Sequence, residues 1–202
     1  MAKKRPETLP KYLGREELQK MLDNCSNIRD ELILLFMYNT GARVSEMINF
    51  RIEDIDFENK TVSIFRGKGA KDRIVNISDE FAQLLRAYIG NRRKDTLFLS
   101  NWNRPFTPRG IQKKIKDLAI KADLAYVDKI TPHALRHTHA VHALQSGVNI
   151  VSIKKHLGHK NLKTTMVYTE ISDDIVRKDF EEHQPFKLQK DLQQQSLKGF
   201  KK

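Results

Sequence analysis

Within 36 residues toward the C-terminal end, the chain carries His133-Ala134-Leu135-Arg136-His137, then Leu157-Gly158-His159, then Tyr168. A tyrosine hydroxyl so close in sequence to an arginine and several imidazoles is a candidate nucleophile toward a phosphodiester. Far upstream, Thr40-Gly41-Ala42-Arg43-Val44-Ser45-Glu46 and Gly67-Lys68-Gly69-Ala70-Lys71 add a second arginine and a lysine on turn-like segments. The chemistry to which these residue types point is phosphoryl transfer.

Breaking a phosphodiester requires a nucleophile, positive charge against the nonbridging oxygens, and a proton for the departing 5′ oxygen. Arg43 and Arg136 offer planar forks that grip two phosphate oxygens and never lose their charge. Tyr168, with a reference pKa of about 10, needs a base and a positive field before it attacks. His133 can take that proton, Lys68 can deliver one to the leaving oxygen, and His159 can donate a hydrogen bond to phosphate.

Each residue also has a plainer reading. Arg43 and Glu46, three apart, can form only a helical ion pair worth about 0.2 to 0.5 kcal/mol. Tyr168 can be a half-buried helix residue, and Lys68 and Lys71 solvated hairpin lysines. Six of the seven histidines fall between His133 and His159. The helical spacing of His133, His137, His139 and His142 invites a zinc site, but the glutamate of an HExxH pattern and any nearby carboxylate ligand are missing, so no metal is expected. His137 in particular reads as a core histidine.

These side chains need a frame. Residues 1–13 are basic and broken by Pro6 and Pro10, which reads as an arm or linker. Helices are predicted from about Arg15, with Leu18, Met21 and Leu22 on one stripe, and through Ile28, Leu32, Leu35 and Phe36 up to Gly41, the second nearly all apolar. A third, from about Val44 to Asn49, leaves Arg43 at a junction facing a cleft. The period then changes to two: Thr61–Phe65 and Arg73–Ile77 alternate as strands, with 58–60 and 67–69 as turns. Ser78 opens another helix through Phe81, Leu84, Leu85 and Ile89. Thr107-Pro108 and Thr131-Pro132 are N-cap plus N1-proline starts. Gly147 closes the second of these, and shorter helices are predicted over 150–157, 164–169 and 173–182. Fold class is therefore mainly α with a small antiparallel β-sheet. The domain plan is an arm over 1–13, a main domain over 14–184 and a polar tail over 185–202.

Size and charge set the outer bounds. A chain of 202 residues suits one domain with short extensions. Its net charge of +12 and pI near 9.7 favour an anionic polymer or an anionic membrane surface as partner. Cys25 is the only cysteine, which rules out an intramolecular disulfide and suits a reducing compartment. The longest apolar run, Leu32–Tyr38, is far short of a membrane span, so a soluble, cytoplasmic protein is expected.

Taken together these segments resemble the catalytic domain of the tyrosine recombinase (phage integrase) family, in its Xer-like branch, over roughly residues 12–182. The resemblance rests on the TGxRxSE turn, the hairpin lysine, HxxRH, LGH and the following tyrosine, which map onto Arg43, Lys68, His133 with Arg136, His159 and Tyr168. It implies site-specific DNA recombination or integration: Tyr168 attacks double-stranded DNA, a 3′-phosphotyrosyl link and a free 5′ hydroxyl form, and a second strand reverses the step without ATP, metal or other cofactor. It also implies tetramers on paired sites, with residues 173–182 docking on a neighbouring protomer, and a separate N-terminal DNA-clamping domain or an accessory protein. Two other readings compete. Residues 132–157 imitate a helix-turn-helix, which suits a noncatalytic DNA-binding regulator. A type IB topoisomerase shares the tyrosyl chemistry without a paired site.

Overall fold

The computed structural model describes residues 12–65 and 72–158. They belong to the first of two compact units, Met1–Ile171, the second being Ser172–Lys202. Seven α-helices and a three-stranded sheet make up the described part: α1 (Arg15–Asp23), α2 (Ile28–Thr40), α3 (Val44–Ile48), β1 (Ile55–Asp56), β2 (Thr61–Ile64), β3 (Arg73–Asn76), α4 (Asp79–Ile89), α5 (Pro108–Lys121), α6 (Pro132–Gln145) and α7 (Ile150–Leu157). The architecture is the expected one, mainly α with a small antiparallel sheet.

Local chemistry sets the helix boundaries. The Asn27 side chain accepts from the Asp30 N–H at the start of α2, and Ser78, Thr107 and Thr131 cap α4, α5 and α6 the same way. Pro108 and Pro132 sit at first-turn positions where no N–H is needed. Gly41, at φ +57, and Gly158, at φ +63, end α2 and α7 in the left-handed conformation that a Cβ disfavours.

α2 runs through the core. Leu32, Ile33, Leu34, Phe36 and Met37 are all buried, which accounts for the apolar run seen in the sequence. Phe36 meets Phe50 at a tilt and Phe98 edge-on, at ring separations of 4.7 and 5.7 Å. One apolar cluster joins α1 to α5, the sheet and the first turns of α6, and a smaller one, Ala140, Val141, Ile153 and Leu157, joins α6 to α7.

The sheet order is β1-β2-β3, antiparallel, with Ile55 opposite Val62 and Ile64 opposite Arg73. β1 was not expected, because two residues are too short to show a period and exist as a strand only by pairing with β2. Two expectations need correction. Leu13, assigned to the arm, is fully buried and its N–H donates to Thr138 Oγ1 at 3.0 Å, so the core begins before residue 14. Leu84, expected on the inner stripe of α4, is exposed, because the buried face of that helix runs through Phe81, Ala82, Leu85 and Ile89. The predicted helices over 164–169 and 173–182 lie outside the described residues, as does the turn at 67–69. Among the described residues no helix is long and apolar enough to cross a membrane.

Candidate active site

Arg43 sits where the chain turns from α2 into α3, in extended backbone at φ −72 and ψ 156. Its backbone N–H donates to Glu46 Oε2 at 2.8 Å and its Nη1 to Glu46 Oε1 at 2.9 Å. The side chain remains 46% exposed, so the guanidinium is steered from below and open above. The ion pair considered in the sequence therefore exists, but it is half of a larger arrangement.

The other half is Arg73. In a β-strand alternate residues share a face, so Arg73 points inward with Val75 while Ile74 and Asn76 point out. A charged residue on the core face must find a partner. Arg73 Nη1 and Nη2 meet Glu46 Oε1 and Oε2 at 3.1 and 2.9 Å, a fork-to-fork pair with both side chains buried. Burial pushes the Glu46 carboxyl up, but hydrogen bonds from Arg73 and Arg43 outweigh it and hold the pKa at about 2. Glu46 is thus a fixed anion that orients Arg43. Sequence reading missed Arg73, whose one signal was a cation in phase with inward-facing valine and isoleucine.

Arg136 comes from the second turn of α6 and is 2% exposed. Its Nη1 donates to the Gly41 carbonyl and its Nη2 to the Leu157 carbonyl at 2.6 Å. Both acceptors lie at helix C-termini, of α2 and α7, where carbonyls lack helical partners and the helix dipole favours a cation. The fold therefore clamps this guanidinium before any ligand arrives.

His133, one turn before Arg136 on α6, is exposed at the rim. Desolvation, then the charges of Arg136 and Arg43, push its pKa below the usual 6.5, so near neutral pH the imidazole is uncharged and able to accept a proton. Arg43, His133 and Arg136 line one cleft of about 490 Å³, with Val44, Ser45, Pro108, Gln112, Thr131 and Pro132. Arg43 thus shares one wall with His133 and Arg136, which lie 90 and 93 positions further along the sequence. An anion with several oxygens suits a cleft that carries two guanidinium groups and a neutral imidazole. Lys68, His159 and Tyr168 lie outside the described residues.

The remaining histidines of α6 turn away from the cleft. His137 is buried, edge-on to Tyr12. His142 Nδ1 shares a 2.9 Å hydrogen bond with the Tyr38 hydroxyl. His139 stacks on His156 of α7 at 4.7 Å and 17°. Burial, then the neighbouring His156, lowers the His139 pKa to about 3. Among the described residues, no group of three His, Cys, Asp or Glu side chains is placed to hold a metal ion.

The chain matches the model of the phage integrase family over residues 11–174. It is 36% identical over 181 residues to tyrosine recombinase XerA of Pyrococcus horikoshii, covering 87% of this chain and 62% of the relative. Against tyrosine recombinase XerD of Staphylococcus saprophyticus it is 36% identical over 190 residues, covering 88% and 63%. The crystal structure of XerA recombinase superposes with a TM-score of 0.77 at 34% identity, over 90% of this chain and 68% of that one. XerH site-specific recombinase bound to difH substrate, in a pre-cleavage complex, gives 0.69 at 29% identity, over 80% and 50%. The chain therefore spans about three-fifths of the length of the curated relatives it matches. By the family match, the level of identity and the shared fold, this chain belongs to the phage integrase family and has the fold of a tyrosine recombinase catalytic domain.

Proposed function

We propose that this chain cuts and rejoins double-stranded DNA at specific sites through a covalent phosphotyrosine. In this reading the scissile phosphate lies in the cleft, its nonbridging oxygens gripped by Arg43 and Arg136. The Tyr168 oxygen attacks phosphorus, its proton passes to His133, and the bond from phosphorus to the 5′ oxygen breaks. Lys68 supplies the proton that makes the departing group a free 5′ hydroxyl, while His159 donates a hydrogen bond to phosphate. The 3′-phosphotyrosyl link stores the energy of the broken bond, so a 5′ hydroxyl from a second strand reverses the step without ATP. The catalytic domain of this scheme takes in Leu13 and runs on to about residue 184, and copies of the chain pair on paired DNA sites.

The observation that carries the reading is the convergence of Arg43, Arg136 and a pKa-lowered His133 on one cleft. Supporting it, His159 follows by two residues the Leu157 carbonyl that Arg136 holds. The resemblance to XerH, solved on its difH substrate, supports DNA as the partner. Incubation with nicked suicide duplexes tests it. A protein–DNA adduct that survives denaturant is expected, and it must vanish in Tyr168→Phe. An adduct that persists in that variant would remove Tyr168 from the mechanism.

A further inference from the structure

The chain contains one tryptophan, and it is the most exposed large apolar side chain among the described residues: Trp102 is 85% accessible. An aromatic of this size ordinarily covers itself in a core or an interface. Trp102 sits at the tip of a small hairpin. Leu99 and Pro105 form an antiparallel bridge, the Ser100 N–H donates to the Arg104 carbonyl at 2.8 Å, and the Asn103 N–H donates to the Ser100 carbonyl at 3.0 Å. Asn103 takes the left-handed turn conformation at φ 53.

The hairpin is braced from outside. Arg29 of α2 donates Nη1 to the Leu99 carbonyl at 3.0 Å and Nη2 to Asn101 Oδ1 at 2.7 Å, and its guanidinium lies 5.6 Å from the Phe106 ring centroid. A buttressed turn that holds its one large apolar side chain in solvent is organised for contact with a partner. Charge identifies that partner. Residues 97–116 carry five basic residues and no acidic one. Lys114 and Lys116 are engaged by Asp30 and Asp128, whereas Arg104, Arg109 and Lys113 are exposed. Position agrees with charge. Pro108, on the cleft wall, follows Trp102 by six positions, so the tip lies within about 20 Å of it, roughly six base pairs of B-DNA.

Resting on the proposed function, we propose that the Trp102 hairpin is a second, noncatalytic DNA contact, in which the indole packs on exposed sugar or base faces while Arg104 meets the adjoining phosphates. It anchors the duplex a few base pairs from the cleft and so sets where cutting occurs.

Because Trp102 is the chain's one tryptophan, its fluorescence reports this contact without labels. The full chain is titrated with a short random-sequence duplex, with binding followed by fluorescence anisotropy of the DNA and indole exposure by acrylamide quenching. Quenching is expected to fall several-fold at saturation, and Trp102→Ala to weaken binding about tenfold while Trp102→Phe keeps most of it. Thermal melts of both variants should match the parent, since the residue is 85% exposed. A bound complex in which the indole stays fully quenchable overturns this inference and leaves the recombinase reading standing. Protection that grows with protein concentration in the absence of DNA assigns the hairpin to a second copy of the chain and also overturns it. Failure to bind any duplex overturns both readings.

Discussion

Glu46 and Arg73 face each other fork to fork at 2.9 to 3.1 Å, each side chain only 5% exposed, and the same carboxylate holds Arg43 at the cleft. Glu46→Gln leaves the Arg73 charge buried without a counter-charge. A loss of about 3 to 5 kcal/mol in urea unfolding is expected, together with slower strand cleavage because Arg43 is no longer oriented. Arg73→Lys in the parent keeps the charge opposite Glu46 but cannot form two parallel bonds, so it should lower stability by less than Glu46→Gln does. An unchanged unfolding midpoint in Glu46→Gln would show that the pair does not matter to the fold.

Arg136 serves the fold and the cleft at once. Arg136→Ala is expected to abolish adduct formation while DNA affinity stays within about tenfold, because many phosphate contacts share the binding energy. It should also lower stability, since the Gly41 and Leu157 carbonyls lose their donor in a buried place. Filter binding over a salt series and a parallel denaturation curve separate the two effects. Complete loss of binding by a folded variant would contradict the assignment.

Gly41 is a sensitive point directly behind the cleft, where its carbonyl accepts from Arg136. An added Cβ would overlap the Leu157 side chain, and the φ of +57 is costly for any residue with a Cβ. Since the backbones of Gly41 and Leu157 together hold Arg136, Gly41→Ala should cost about 2 kcal/mol or more and reduce cleavage beyond what unfolding explains. Cleavage measured well below the variant's melting temperature decides this. Parent-like rates there would refute the coupling.

The pH dependence of His133 follows from its surroundings. Desolvation and the Arg136 and Arg43 charges disfavour imidazolium, so the ring stays neutral until the pH falls below 6.5. If neutral His133 is the base, cleavage should lose activity on acidification with a midpoint under 6.5. An NMR titration of the ring should give the same midpoint, and Arg43→Gln should move it upward. A midpoint above 6.5 would be incompatible with this environment.

Fold stability should also decline in acid, for a different reason. His139 is half-buried against His156 with its pKa held at about 3, while an unfolded chain titrates near 6.5. Between those values the unfolded state binds more protons, so the stabilisation is complete above about pH 6.5 and is lost as pH falls toward 3. The slope from this residue is roughly 1 kcal/mol per pH unit below 6. Melting temperatures from pH 8 to pH 5 should show it, and His139→Gln should flatten the curve. A curve of the same steepness in that variant would point to other groups.

Much of this molecule was written locally. Asn27, Ser78, Thr107-Pro108 and Thr131-Pro132 start helices through side-chain caps and fixed φ, and Gly41 and Gly158 end them through positive φ, so the chain's own spacing sufficed to place α2, α4, α5 and α6. The HxxRH and TGxRxSE segments likewise carried the family resemblance without coordinates. What needed the folded chain was every relationship across long separations. β1 exists because β2 lies beside it, Leu13 is core because Thr138 meets it, and Arg73 becomes part of the site only when a strand carries it to Glu46, 27 residues away. Hydrogen bonds inside a helix turn are set by neighbours in sequence, whereas burial of a charge is settled by whatever the tertiary fold brings to face it.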